Sequence, residues 1–250
     1  MYRRPYNTRH RYINPYYHQR RYTWQAQNGS NNVHASLTPD TTQAIRAPEP
    51  TRVTDILVFG SSHINRLKSF EHDNNLTNLG LDTDRFSVSM YGVSGGGMFN
   101  DNDNKPECKC FANHNHVIKN MKPNILILQV GSNDIGQLYV EVDKIALSII
   151  EFAESSLTFG CKLVIILSHW ARNNTLFNMR LDPFNKCLKD LCSVRRDIMF
   201  WQHTSLGHNE IYKYRHSDGV HLNSDGNKKL YKNIRGAVIY AARKFLPQCK

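Results

Sequence analysis

Residues 56–67 read ILVFGSSHINRL, an unbroken apolar run followed by a glycine and two serines. Four consecutive apolar residues predict a strand that is buried on both faces, as strands are in a parallel sheet covered by helices. Gly60 then permits a tight turn, and Ser61 and Ser62 stand where a helix can begin, at the carboxyl edge of the sheet. A serine in that place is either a helix N-cap or a nucleophile beside free backbone N–H groups, and this stretch alone leaves both interpretations open.

Apolar periodicity along the rest of the folded region predicts alternating strands and helices. The predicted strands cover residues 54–59, 85–91, 124–130, 162–167 and 198–201; the predicted helices cover 62–70, 142–153 with a glycine cap at 160, 183–194 and the final stretch to 245. Strands separated by helices imply right-handed crossovers, and therefore an α/β domain with a doubly wound, five-stranded parallel sheet. Segments 98–122 and 170–182 are predicted to be loops.

Residues 1–52 are predicted to be a disordered basic tail and linker that precedes the folded domain at residues 53–250. Residues 1–50 contain seven arginines against two acidic residues, in a chain whose formal net charge is +11. Residues 1–25 interleave arginine with tyrosine and lack apolar periodicity, so they cannot bury enough surface to fold. Aromatic rings stack on bases and guanidinium groups contact phosphates, so we expect either RNA or single-stranded DNA binding or a solvated tail with no dedicated ligand.

Neither an export signal nor a membrane span is visible in the sequence. The N-terminus is charged and aromatic from its second residue, and no stretch reaches the roughly 18–20 apolar residues of a membrane span. We therefore expect an intracellular protein, cytoplasmic or nuclear, whose six cysteines are mostly reduced thiols.

A cluster of four potential metal ligands lies between the second and third predicted strands. Its members are Cys108, Cys110, His114 and His116. Structural zinc sites more often use cysteines two to four residues apart, with a wider gap between the two ligand pairs. The preferred interpretation is a polar loop that holds no metal.

Glycine-rich and polar segments follow predicted strands at positions that the carboxyl edge of the sheet brings together. They are Gly60-Ser61-Ser62, residues 91–97, Gly131-Ser132-Asn133-Asp134 and Asp218-Gly219-Val220-His221. Acyl transfer by a serine requires a base, a carboxylate that orients the base, and donors for the oxyanion. His221 is the candidate base and Asp218 its carboxylate; the candidate oxyanion donors are the N–H groups of Ser62 and Gly95 and the amide of Asn133.

The order Gly-x-Ser, glycine turn, Gly-x-Asn-Asp and Asp-x-x-His over residues 54–245 resembles the SGNH (GDSL-type) hydrolase superfamily. The resemblance implies a flavodoxin-like three-layer α/β/α sandwich and ester hydrolysis without a metal or other cofactor. It assigns the nucleophile to Ser62, the oxyanion donors to Ser62, Gly95 and Asn133, and the base pair to Asp218 and His221. The chain is also similar to invertebrate SGNH esterase-like proteins and to esterase domains of non-LTR retrotransposon first open reading frames, in which nucleic-acid-associating segments accompany the esterase.

Two of the motifs depart from the family pattern. Ser61 stands where the family usually has an aspartate before the nucleophile, which predicts altered hydrogen bonding in the turn but retained catalysis. The second motif has Tyr91 and Gly92 where the family usually has asparagine before glycine. This departure leaves open whether Gly95 or Gly96 is the oxyanion donor, and Gly95 is the preferred candidate.

The expected function is that of a serine esterase acting on a carboxylic ester, such as an acetyl or acyl ester of a lipid or sugar. Each motif also has a structural interpretation, because Asn133 and Asp134 can cap a helix and Asp218-Gly219 is an ordinary turn pair. The alternative function is a catalytically weak or inactive scaffold of this fold that binds nucleic acid through the basic tail. His169, after the fourth strand, is expected either to line the cleft or to be a loop residue.

Overall fold

The computed structural model describes residues 53–99, 109–137 and 139–245. The predicted tail and linker and Cys108 lie outside these residues. Five strands are present among them: Thr54–Ser61 (β1), Phe86–Val93 (β2), Ile125–Gln129 (β3), Leu163–Leu167 (β4) and Ile198–Trp201 (β5). The α-helices are Ser62–Asp73 (α1), Asn115–Met121 (α2), Val142–Thr158 (α3), Thr175–Ser193 (α4), the single turn Ile211–Tyr214 (α5) and Ser224–Phe245 (α6).

The strands form one sheet in the order β2-β1-β3-β4-β5, and every neighbouring pair is parallel. This is the strand order of flavodoxin-like proteins, so the predicted doubly wound sheet is confirmed. The central strands β1, β3 and β4 are buried along nearly their whole length, whereas β2 and β5 at the two edges are partly exposed. Burial on both faces explains why the central strands are continuous apolar runs.

Helices cover the sheet on both sides. Helix α1 packs against α6, and α3 packs against α2 and α4. The buried positions Leu230, Ile234, Ala237, Val238 and Ala241 lie on one face of α6, as their spacing predicts. Among the described residues, no helix combines the length and apolar character needed to cross a bilayer.

Helix α4 begins well before its predicted start at residue 183, so the predicted loop 170–182 is wrong in its second half. Proline is favoured in the first turn of a helix, which is why Pro183 suggested a start, but here it lies inside the helix. The helix begins after Asn174, whose side-chain oxygen accepts a hydrogen bond of 2.8 Å from the Phe177 N–H. The short helix α2 likewise replaces part of the predicted loop 98–122, because seven residues give too little periodicity to recognise.

Candidate active site

The turn between β1 and α1 places Ser62 at the first position of the helix. Its N–H therefore has no partner within the helix. Ser61 occupies the N-cap position, but its side chain makes no capping hydrogen bond, and its buried hydroxyl has no partner among the described residues. Gly60 is required here because a Cβ would lie 2.5 Å from the carbonyl oxygen of Gln129 on β3.

The three predicted catalytic side chains form a continuous chain of hydrogen bonds. The Ser62 Oγ lies 2.9 Å from the His221 Nε2, and the His221 Nδ1 lies 2.8 Å from the Asp218 Oδ2. A carboxylate facing Nδ1 favours the tautomer with the proton on that nitrogen, which leaves Nε2 free to accept the serine proton. An arrangement of this kind can serve as a nucleophile, a base and a carboxylate that orients the base.

The other oxygen of Asp218 holds the loop itself in shape. The Asp218 Oδ1 accepts hydrogen bonds of 2.9 Å from the backbone N–H groups of Val220 and His221. Burial alone raises the pKa of Asp218, but these N–H groups and the His221 ring outweigh it, so the pKa lies well below its usual range. Asp218 is therefore a carboxylate at neutral pH.

Two further groups, which the motifs did not indicate, contact the Asp218 Oδ2. Arg66 donates to it at 3.2 Å, and the His216 Nδ1 lies 3.1 Å away. Arg66 follows Ser62 by four residues on α1, so both side chains lie on the same face of the helix. That spacing was a usable signal in the sequence, because a basic residue one turn after the nucleophile must face the same cleft.

The glycine-rich loop after β2 makes a type II turn, which uses the N–H of one candidate oxyanion donor and leaves the N–H of the other without a partner among the described residues. Gly95 has a φ of +74° and sits at the third position of the turn, where a positive φ is required. The Gly96 N–H closes the turn by donating to the Val93 carbonyl at 2.9 Å. The Gly95 N–H makes no hydrogen bond with the described residues, so it is the donor still available to a ligand.

The loop after β3 connects to the same turn through Asn133. The Asn133 Nδ2 donates to the Gly96 carbonyl at 2.8 Å, which fixes the amide against the glycine turn. An amide nitrogen carries two N–H groups, so one remains for a second acceptor. Its neighbour Asp134, which was considered as a helix cap, is buried and instead accepts from the backbone N–H groups of Met98 and Phe99, at 2.9 and 3.3 Å.

Aromatic rings pack behind the base. The His63 ring lies 5.2 Å from the His221 ring and 4.7 Å from Trp170, between centroids, and both His63 and Trp170 are buried. Burial, and then the charge of Arg172, lowers the pKa of His63 well below its usual value. A neutral His63 adds no charge beside the base.

His169 does not belong to the three-residue chain but lies in a buried cluster behind it. With His203 it lines a small cavity of about 50 Å³, and its ring packs edge-on against Phe184 at 5.2 Å. Burial lowers the pKa of His169 to about 3 and that of His203 to about 4, so both rings are neutral at physiological pH. The side chain of Asn185 fixes the His169 backbone through hydrogen bonds of 2.9 and 3.0 Å.

The described members of the suspected zinc cluster have other partners. The His114 Nδ1 bonds the Tyr91 hydroxyl at 2.9 Å, the His116 Nδ1 bonds the Asn113 carbonyl at 3.1 Å, and the Cys110 thiol donates to the Met98 carbonyl at 3.4 Å. Within residues 53–99, 109–137 and 139–245, no three histidine, cysteine or acidic side chains converge as metal ligands would.

Comparisons with known proteins identify the fold. No protein-family model and no curated protein matches the chain. Among solved structures, a GDSL-like lipase from Bacteroides thetaiotaomicron is 16% identical with a TM-score of 0.54, over 75% of this chain and 89% of that one. An inhibitor-bound aryl esterase from M. smegmatis is 16% identical with a TM-score of 0.57, over 75% and 99%. An acetylxylan esterase from Geobacillus stearothermophilus is 13% identical with a TM-score of 0.53, over 76% and 95%. The fold of this chain is that of the SGNH (GDSL-type) hydrolases.

Proposed function

We propose that the chain is a serine esterase that hydrolyses a carboxylic ester through an acyl-enzyme. The observation that carries the proposal is the pair of short contacts, 2.9 Å from Ser62 to His221 and 2.8 Å from His221 to Asp218. A serine hydroxyl is a poor nucleophile until a base removes its proton, and these contacts support His221 as that base, with Asp218 favouring the tautomer that it needs.

The reaction follows from the placement of these groups. The Ser62 Oγ attacks the ester carbonyl while His221 takes the hydroxyl proton, and the carbonyl oxygen becomes an oxyanion. His221 then gives its proton to the departing alcohol, which leaves an acyl-Ser62. A water molecule attacks this acyl group with His221 again acting as base, releasing the acid and restoring Ser62.

Three N–H groups are proposed to stabilise the oxyanion. They are the backbone N–H of Ser62 at the start of α1, the backbone N–H of Gly95, and the second amide N–H of Asn133. Fixed donors of this kind lower the barrier because they need no reorganisation as charge develops. Gly95 is preferred over Gly96 because the Gly96 N–H already donates to the Val93 carbonyl within the turn.

The proposed substrate is an acetyl or other acyl ester of a sugar or lipid. Proteins of the same fold are named as an acetylxylan esterase, a carbohydrate acetylesterase family member, an aryl esterase and a GDSL-like lipase. These names cover both carbohydrate and hydrophobic alcohols, so the acyl transfer chemistry is the common element and the alcohol must be tested.

Labelling with a fluorophosphonate probe tests the proposal directly. We expect label on the native chain and none on Ser62→Ala. Labelling of His221→Ala should be slower by about 10⁶-fold, and therefore undetectable, because the serine then lacks its base. Ser61→Ala is the matched control, since Ser61 is the adjacent, buried serine and its hydroxyl bonds no described residue.

Two outcomes would overturn the proposal. Label that persists on Ser62→Ala would place the reactive group elsewhere. A well-folded native chain that takes no label and cleaves no short or long acyl ester would favour the alternative, an inactive scaffold of this fold that binds nucleic acid through residues 1–25.

A further inference from the structure

Arg172 lies in the segment between β4 and α4, directly against the loop that carries Asp218 and His221. The N–H of the next residue, Asn173, donates to the Gly219 carbonyl at 2.8 Å. The contact is close enough that a Cβ on Gly219 would lie 2.7 Å from the Asn173 Cβ. The side chain of Asn178 bonds both the N–H and the carbonyl of Arg172, at 2.9 and 2.8 Å, so the backbone at this position is fixed.

The guanidinium group of Arg172 is stacked but not paired. Its Cζ lies 4.5 Å from the centroid of the Phe177 ring, and its N–H groups make no hydrogen bond or ion pair with the described residues. Burial lowers the pKa of Arg172 to about 10, opposed by the charge of Asp218, so the group stays a cation at neutral pH. A partly desolvated cation without a partner is unfavourable, and an anion that binds it recovers the lost interactions.

The charge of Arg172 acts on the side of the site that receives the leaving group. After burial, the charge of Arg172 is the next cause that lowers the pKa of both His63 and His169, and His63 lies against His221. The nearby carboxylate, Asp218, is already bonded to His221 and Arg66, and its Oδ2 lies 3.1 Å from the His216 Nδ1. Since His221 hands its proton to the departing alcohol, the alcohol part of the ester lies on the His221 side, towards Arg172.

Resting on the proposed esterase function, we propose that Arg172 binds an anionic group, a carboxylate or a phosphate, on the alcohol part of the ester. The planar guanidinium offers parallel N–H donors that match either group, and its position over the Phe177 ring leaves those donors unused by the described residues. The preferred substrates are then esters of acidic alcohols, such as uronic-acid sugars or phosphorylated alcohols.

The test compares kcat/KM for aryl acetates that differ in the charge of the alcohol. The anionic substrates are 3- and 4-acetoxybenzoate and 4-acetoxyphenyl phosphate, and the neutral substrate is methyl 4-acetoxybenzoate. We expect Arg172→Gln to lower kcat/KM for at least one anionic ester by about 10- to 100-fold, as for a lost charge-assisted hydrogen bond, and for the neutral ester by less than about threefold. Arg172→Lys should retain part of the preference for anionic esters, because lysine keeps the positive charge but lacks the paired N–H donors of the guanidinium group.

Arg85→Gln is the matched control, because Arg85 also stacks on an aromatic ring but immediately precedes β2, at the opposite edge of the sheet. Thermal melts of the variants separate misfolding from lost recognition. An equal loss on charged and neutral esters in Arg172→Gln, or no loss on any anionic ester, would overturn the proposal.

Binding of the product 4-hydroxybenzoate and of inorganic phosphate, measured by calorimetry, separates this proposal from the esterase function. Binding to the native chain and Ser62→Ala that is lost in Arg172→Gln supports the anion site even if no ester is cleaved. If the native chain is labelled by the fluorophosphonate but neither binds the anions nor prefers charged esters, the esterase function is supported and the anion site is refuted.

Discussion

At the scale of single residues, Asn133 combines one observed hydrogen bond with one proposed role as an oxyanion donor, and Asn133→Ala removes both. We expect Asn133→Ala to lower kcat by about a hundred- to a thousandfold, because an oxyanion donor contributes roughly 3–4 kcal/mol in such sites. The same change removes the hydrogen bond to the Gly96 carbonyl, which positions the glycine turn. Steady-state kinetics on an activated acetate ester measures the loss.

Ser94→Ala is the control for Asn133, since Ser94 belongs to the same turn but bonds the side chain of Asn65. It should leave kcat within a few-fold of the native value. A native kcat in Asn133→Ala would remove Asn133 from the oxyanion site.

Local sequence motifs were enough to predict which side chains would lie close together, whereas their catalytic roles stay a prediction. The side chains of Ser62, Asp218 and His221 were predicted from short motifs, and the structure brings them together as expected. The proposed role of Arg172 was not predicted from the sequence. Arg172 lies in an irregular segment, and only the folded structure shows that its guanidinium group has no partner among the described residues. The choice between Gly95 and Gly96 likewise depended on the structure, because the sequence does not show which of the two N–H groups forms the hydrogen bond that closes the turn.

At the scale of elements, the loop after β3 depends on one glycine. Gly131 has a φ of +96°, and a Cβ there would lie 2.6 Å from the Ile149 Cδ1 on α3. Gly131→Ala should therefore lower the free energy of unfolding by roughly 2–4 kcal/mol, through backbone strain together with overpacking. Urea unfolding measures the change.

Gly160 after α3 provides the matched comparison, with a φ of +106° and no atom within 4 Å of its Cβ position. Gly160→Ala should cost only the strain, about 1–2 kcal/mol, so the difference between the two variants is the packing contribution. Equal losses would mean that the end of the Ile149 side chain moves aside without a packing cost.

The start of α4 gives a second prediction for an element. Asn174→Ala should destabilise the protein by about 1 kcal/mol, because the Phe177 N–H loses its acceptor. Asn173→Ala is a suitable comparison, since only its backbone N–H is bonded. Hydrogen exchange of the first turn of α4 should accelerate in Asn174→Ala alone; unchanged exchange would contradict the cap.

At the scale of the whole molecule, the buried histidines predict sensitivity to acid. Unfolded chains protonate histidine near pH 6.5, whereas the pKa values of His169 and His203 fall to about 3 and 4 in the folded state. Between these values the unfolded state binds more protons, so stability is retained above about pH 6.5 and is lost as the pH falls towards 4. The loss is roughly 1 kcal/mol per pH unit for each histidine.

Urea unfolding at several pH values tests this prediction. His203→Gln should flatten the dependence of stability on pH, whereas His72→Gln, at a highly exposed side chain, should not. An unchanged slope in His203→Gln would mean that other groups cause the acid sensitivity.

The basic tail at residues 1–25 gives a prediction for the full chain that the described residues do not address. If it binds single-stranded RNA, affinity should fall steeply as salt rises, and it should be lost when residues 1–50 are deleted. Fluorescence anisotropy with a labelled oligonucleotide measures both effects. Equal binding by the full-length and truncated chains would remove the tail from nucleic-acid recognition.

The sheet was predictable as a whole because its central strands are buried on both faces and therefore appear as uninterrupted apolar runs. The short helix α2 and the start of α4 were not, because their formation depends on packing and a single side-chain cap. Polar interactions such as those of Asp134 were equally hidden, since the backbone groups that it binds are far from it in sequence.

The bond between Ser62 and His221 joins residues 159 positions apart. During synthesis on the ribosome, the nucleophile emerges early, but its base emerges only after most of the chain has been made. If Ser62 reacts with a fluorophosphonate as proposed, that reactivity should arise late, once the loop that carries His221 has been made and has folded against Ser62. On the proposed mechanism, a nascent chain that does not yet contain His221 would hold an unreactive serine, and so would a chain truncated before this residue.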